Sequence, residues 1–122
     1  MAKYVDGFVL VVAKKNLEAY KKMAKEAGKV WKDFGALEYK ECVIEDEKPK
    51  HITFTFRKMT MAKPSEVIVF SYITYRSRKH RDQVNTKVMA YMDQKYADQK
   101  DVPMPFDMNR IAFGGFEVMV DF

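Results

Sequence analysis

The chain has a single cysteine, Cys42, so no disulfide can form within it, and with only His51 and His80 besides there is no zinc-ligand spacing. The composition points to a reducing cytoplasm. Long apolar runs are missing too. The longest, Phe8 to Ala13, is far too short to span a bilayer. Tyr4 and Asp6 precede it and Lys14 and Lys15 follow it, which are not the flanks of a signal peptide. No glycine-rich loop follows a strand, and no two histidines stand at ligand spacing, so no metal, haem or nucleotide cofactor is expected. What remains is 122 residues, 48% hydrophobic and 32% charged, the profile of one folded domain over residues 1–122.

A net charge of +5 invites a nucleic-acid reading until the lysines are placed. After a strand from Tyr4 to Val12, Asn16 can cap a helix beginning at Leu17. Leu17, Tyr20, Ala24, Ala27, Trp31 and Phe34 recur at three- and four-residue steps as one apolar stripe, and Gly35 ends the helix. Lys21, Lys22, Lys25, Lys29 and Lys32 cover the rest, which reads as a solvated helix face. Strand aromatics Phe70, Tyr72 and Tyr75 lack the interleaved basic residue and glycines of an RNA-binding sheet. Neither nucleic acid nor membrane is an expected partner.

Ala36 to Ile44 reads as a second strand. His51 to Arg57 alternates polar and apolar, as a short strand or a flap would. Glu66 to Tyr75 is a third strand, and Ser77 caps a second helix whose inward positions are His80, Val84, Val88 and Tyr91. Met92 to Asn109 reads as irregular, Asp107 caps a short turn ending at Gly114-Gly115, and a last strand runs from Phe116 to Phe122. The order β-α-β-β-α-β is the split βαβ pattern of ferredoxin-like α+β domains with an antiparallel sheet.

Val9 to Val12 and Val67 to Phe70 place apolar groups on both faces of the central strands. Helices cover one face; a second copy of the chain, sheet against sheet, is the expected cover for the other. Gly7 would let a helix approach over Ala24 and Ala27. That parity turns Tyr4, Asp6, Phe8 and Leu10 toward the partner sheet.

Tyr4-Val5-Asp6-Gly7-Phe8, Leu37 to Cys42, Ser77 to Asp82 with Val84-Asn85, Pro105 to Met108, and Gly114 to Glu117 together resemble the small bacterial YbaA-like family of uncharacterised proteins. The resemblance spans nearly the whole chain. It implies a dimeric α+β barrel and no particular activity. The wider barrel superfamily it resembles includes cofactor-independent monooxygenases, haem-degrading enzymes and lactone isomerases.

Several side chains are candidates for chemistry. Asp6 interrupts an apolar strand, which costs free energy unless the carboxylate is paired or wetted. With Tyr39 and Glu41, which share a face of the second strand, and with Tyr72, it could line one polar pocket. Arg110 would close the mouth on a ligand carboxylate. His80 is either a general base or a histidine bonded to backbone, and Asp82 stands on the wrong side of the helix turn to orient it. Cys42 reads as a small core hydrophobe. Arg76, Arg78, Lys79 and Arg81 crowd a helix N-terminus, where the dipole disfavours cations. They splay into water, or an anion sits at Arg78, Lys79 and Arg81, or a carboxylate of the chain (Glu66 or the terminal carboxyl) takes that place. The functional expectation is a homodimer binding a small aromatic or anionic molecule. The alternatives are a cofactor-independent monooxygenase or isomerase and a structural or regulatory dimer without ligand.

Overall fold

The computed structural model describes residues 2–99 and 103–122. Four strands form one sheet in the order β2-β3-β1-β4: β1 is Tyr4–Ala13, β2 Glu38–Val43, β3 Glu66–Tyr75 and β4 Ala112–Glu117. Every neighbouring pair is antiparallel. Helix α1 (Leu17–Asp33) connects β1 to β2, a short α2 (Phe56–Thr60) precedes β3, and α3 (Arg78–Lys95) follows it. This is the ferredoxin-like α+β arrangement expected from the element order.

Local signals explain most boundaries. Ser77 Oγ accepts from the His80 amide at 3.1 Å and starts α3. Gly35, at φ 113°, takes the left-handed turn after α1. Asn16 does not cap α1; residues 14–16 form a 3₁₀ turn that leads into the helix. Residues 51–57 form no strand. Thr55 instead caps α2 by accepting from the Lys58 amide at 3.2 Å, and no neighbouring strand is there to pair with. Helix α3 continues through Met92 to Lys95, and residues 97–99 form another 3₁₀ turn. Residues 100–102, part of the stretch expected to be irregular, lie outside those described.

The last strand begins earlier than its sequence suggests. Gly114 and Gly115 are strand residues, not a turn, opposite Gly7 and Asp6 of β1. Their lack of side chains has a packing reason. A Cβ on Gly114 would stand 3.3 Å from the Phe116 ring, and one on Gly115 would collide with the Tyr4 ring. Beyond Glu117 the Val118 amide, bonded to the Lys3 carbonyl, continues the pairing.

The expected parity of β1 is reversed. Leu10 and Val12 pack with Tyr20, Ala24 and Val69 under α1. Tyr4 and Phe8 lie against the cluster of Ile73, Tyr75, Val84 and Val88 under α3. Tyr4, Asp6, Phe8 and Leu10 therefore face the helices. Gly7 lies on the opposite face, where the added Cβ would stand 3.2 Å from the Phe116 ring, so its small size admits a neighbouring strand's aromatic and not a helix. Residues opposite one another in the register share a face. The uncovered face thus carries Val5, Val9, Phe70, Tyr72 and Phe116. Val11 and Ile68, farther along the same face, are buried, whereas Phe70 is 45% and Phe116 59% exposed, large apolar side chains left open among the described residues.

Candidate functional site

Strand β2 lies at the sheet edge, and α1 runs beside it. Between them is a groove of about 710 Å³ whose wall is mostly apolar, including Leu17, Ala24, Gly28, Val43 and Val69. The close approach of α1 comes from Gly28. A Cβ there would stand 2.8 Å from the Tyr39 ring, closer than side-chain carbons approach.

Alternation along β2 points Tyr39, Glu41 and Val43 toward α1, because they stand opposite Ile73, Ser71 and Val69 on the helix-facing side of β3. Tyr39 donates its hydroxyl to Glu41 Oε2 at 2.6 Å, and Tyr20 of α1 donates to Oε1 at 2.7 Å. One carboxylate is thus held from two elements. Burial, then the hydrogen bond to Glu41 and its charge, pushes both phenols far above their usual range, so they remain O–H donors. Lys21, Lys25, Lys29 and Lys32 line the same groove from α1. Steps of four residues set the first three in a row about 12 Å long. These lysines, read from the sequence as a solvated face, border the groove.

The other anticipated site residues lie elsewhere. Asp6 faces the helices but is 2% exposed and ion-paired with Arg81, Nη1 to Oδ1 2.6 Å. Beside the pair, the Tyr75 hydroxyl donates to Asn85 Oδ1 at 3.3 Å, and Trp31 Nε1 donates to the Tyr75 oxygen at 3.1 Å. This is a satisfied polar network inside the core, formed by β1, β3, α1 and α3. Burial raises the Asp6 carboxyl above its usual range; the Arg81 charge opposes that. Tyr72 lies on the uncovered face beside Phe70, on the far side of the sheet from Glu41. Arg110 grips Glu66 through both carboxylate oxygens, at 2.7 and 3.2 Å, and donates to the Thr60 and Met61 carbonyls, so its role is to fasten the segment before β3.

His80 accepts the Arg76 amide at Nδ1, 3.0 Å away, and is the backbone-bonded histidine of the two readings. Burial and the nearby Arg76 and Lys87 charges lower its pKa. At the start of α3, Arg81 turns inward to Asp6 and also bonds Asp82, while Arg78 and Lys79 stay exposed. A chain carboxylate does answer the cation cluster there, but it is Asp6 and not Glu66. Cys42 is exposed, because β2 alternation puts it with Phe70 on the uncovered face instead of in the core.

Sequence reasoning thus anticipated Tyr39 and Glu41 together but missed Tyr20 and the lysine row. A phenol on an otherwise apolar helix stripe was the available signal, since a buried hydroxyl seeks a partner.

Comparison with solved structures places the fold among known neighbours. A dimeric ferredoxin-like protein from an uncultured marine organism aligns with TM-score 0.56 at 12% identity, covering 100% of this chain and 98% of its own. A Bacillus cereus protein assigned as an antibiotic biosynthesis monooxygenase aligns with TM-score 0.54 at 9% identity and the same coverage. At those identities the likeness is one of fold. The sequence is 40% identical over 119 residues to the uncharacterized protein YbaA of Escherichia coli (strain K12), covering 98% of each chain. Residues 3–108 match the model of DUF1428, a protein family of unknown function, and the chain belongs to that family.

Proposed function

We propose that this protein is a homodimer that binds a small, largely apolar anion in the groove between α1 and β2. The observation that carries the reading is Glu41, held by Tyr20 and Tyr39 in a mostly apolar groove edged by lysines. Small-molecule sites are commonly of this size, with an apolar wall and a few convergent polar groups. The lysine row supplies the attraction for an anion, and the apolar wall supplies most of the contact area.

Dimerisation accounts for the uncovered face. Val5, Val9, Phe70, Tyr72 and Phe116 form an apolar surface of the kind that a second sheet covers at a spacing of about 10 Å. An obligate pair of this type buries on the order of 2,000 Å². The similar fold described as dimeric supports the same reading.

Two measurements test it. Light scattering at micromolar concentration should return twice the chain mass for the wild type, and the chain mass for Phe70→Lys. Benzoate at millimolar concentration should raise the melting temperature, and the double variant Lys25→Gln, Lys29→Gln should lose most of that shift. A wild-type monomer removes the dimer. An equal shift in the double variant removes the groove as the binding place.

A further inference from the structure

We infer that the groove selects anions that also carry a hydrogen-bond donor at the end away from the charge, such as hydroxyaryl carboxylates. The inference rests on the groove being the binding site, as proposed above, and assigns the class of molecule it accepts.

A phenol hydroxyl has one hydrogen to give. Tyr20 gives its hydrogen to Glu41 Oε1 and Tyr39 gives its hydrogen to Oε2. Burial and the facing carboxylate keep both protonated, and each short bond commits its one hydrogen to Glu41. The side-chain cluster at β2 therefore has no donor left for a ligand. It presents acceptors only: the remaining lone pairs of the two Glu41 oxygens and those of the two phenol oxygens. A carboxylate oxygen takes two hydrogen bonds, so a ligand donor can join without displacing either tyrosine.

The opposite holds along α1. A lysine ammonium has three donors and no acceptor. Lys21, Lys25 and Lys29 can therefore only receive acceptors or negative charge, and Lys32 already gives one hydrogen bond to the Leu37 carbonyl at 2.8 Å. The β2 wall accepts and the middle of the α1 wall donates, with Glu18 and Asp33 at the two ends of that helix, and Ala24, Gly28, Val43 and Val69 lie among the residues lining the groove. A simple anion satisfies the lysines and leaves an apolar edge against Glu41, which strips water from the carboxylate without replacing it. A molecule with a hydroxyl or amino group at one end and a carboxylate at the other satisfies both walls. Sites that hydrogen-bond a substrate hydroxyl reject the analogue lacking it strongly, because their own polar groups are then left unpaired.

Three probes, 4-hydroxybenzoate, 4-methoxybenzoate and benzoate, titrated calorimetrically into the wild-type protein test this. The hydroxy acid should bind about tenfold or more tightly than either analogue, the difference expected of a hydrogen bond to a charged group. In Glu41→Gln the amide NH₂ introduces donors, so the preference should vanish or invert while benzoate still binds. Lys25→Gln with Lys29→Gln, which leaves Glu41 and both tyrosines in place, should weaken all three probes and leave their ratio unchanged. That variant keeps the inference testable if Glu41→Gln fails to fold. Equal affinity of the three probes for the wild type would overturn the donor requirement and leave the groove as a general anion site. Absence of binding by all three at millimolar concentration would remove the groove reading together with the inference.

Discussion

Arg81 on α3 reaches across to Asp6 on β1, Nη1 to Oδ1 2.6 Å, and its guanidinium lies 4.8 Å over the Tyr4 ring. The pair ties the start of α3 to the first strand, and both side chains are nearly removed from water. Removing one member leaves the other charge buried and uncompensated. Arg81→Met should destabilise the fold by about 3–5 kcal/mol in urea melts. Asp6→Asn should cost less, because Arg81 keeps Asp82 at 2.8 Å.

The same carboxylate has a pH signature. Its folded pKa is raised above the ordinary value, so the folded state binds the proton more tightly than the unfolded chain does. The Asp6 contribution to stability should therefore fall as pH rises through the raised pKa and recover as pH falls toward the unfolded value. Unfolding free energies of wild type and Asp6→Asn, compared from pH 4.5 to 8, should show the wild type gaining on the variant at the acid end. A gap that does not change with pH would contradict the assignment.

His80 should act in the opposite sense. Its folded pKa is lowered, and Nδ1 accepts the Arg76 amide, which an imidazolium could not do. The stability it contributes is complete above the unfolded histidine value near 6.5 and is lost as pH falls below it. His80→Asn should be less sensitive than the wild type between pH 7.5 and 5.5. NMR titration of the ring should find it neutral at pH 6.5.

Gly28 sets the spacing of α1 from β2. Alanine there would add about 1 kcal/mol of helix propensity in an open helix. Here the added methyl meets the Tyr39 ring at 2.8 Å, and relieving that contact moves the phenol that holds Glu41. We expect Gly28→Ala to destabilise by about 1–3 kcal/mol, the usual cost of overpacking. An increase in melting temperature would show that the helix is not pressed against Tyr39.

Cys42 reports on the uncovered face. It is exposed in one chain and stands beside Phe70 in the register. Thiol labelling should be fast at nanomolar concentration and slow at micromolar, with Phe70→Lys fast at both. Labelling that does not depend on concentration would mean that nothing covers this face.

The order of the four strands and the two long helices, the stripe on α1, the caps at Ser77 and Asp107, and the apolar doubling of the central strands were legible in the residues, because each depends on neighbours a few positions away; the short α2, in a stretch that alternates like a strand, was not. So was the sharing of a face by Tyr39 and Glu41, since alternation along a strand is a local property. Which face that was could not be read. Gly7 is equally compatible with a helix and with an aromatic from β4, and only the register of β4 on β1 put Phe116 over it. That choice sent Asp6 into the core, while the register of β2 on β3 put Cys42 beside Phe70 and Tyr72 on the far side from Glu41. Likewise, nothing within reach of Arg81 along the chain indicated Asp6, 75 residues away, and nothing near Tyr20 indicated Glu41. A charge or a hydroxyl in a sequence states only that a partner is needed. Which group serves is decided when long-range pairing brings two distant segments within about 3 Å, in surroundings where leaving either group unpaired would cost more than the alternatives.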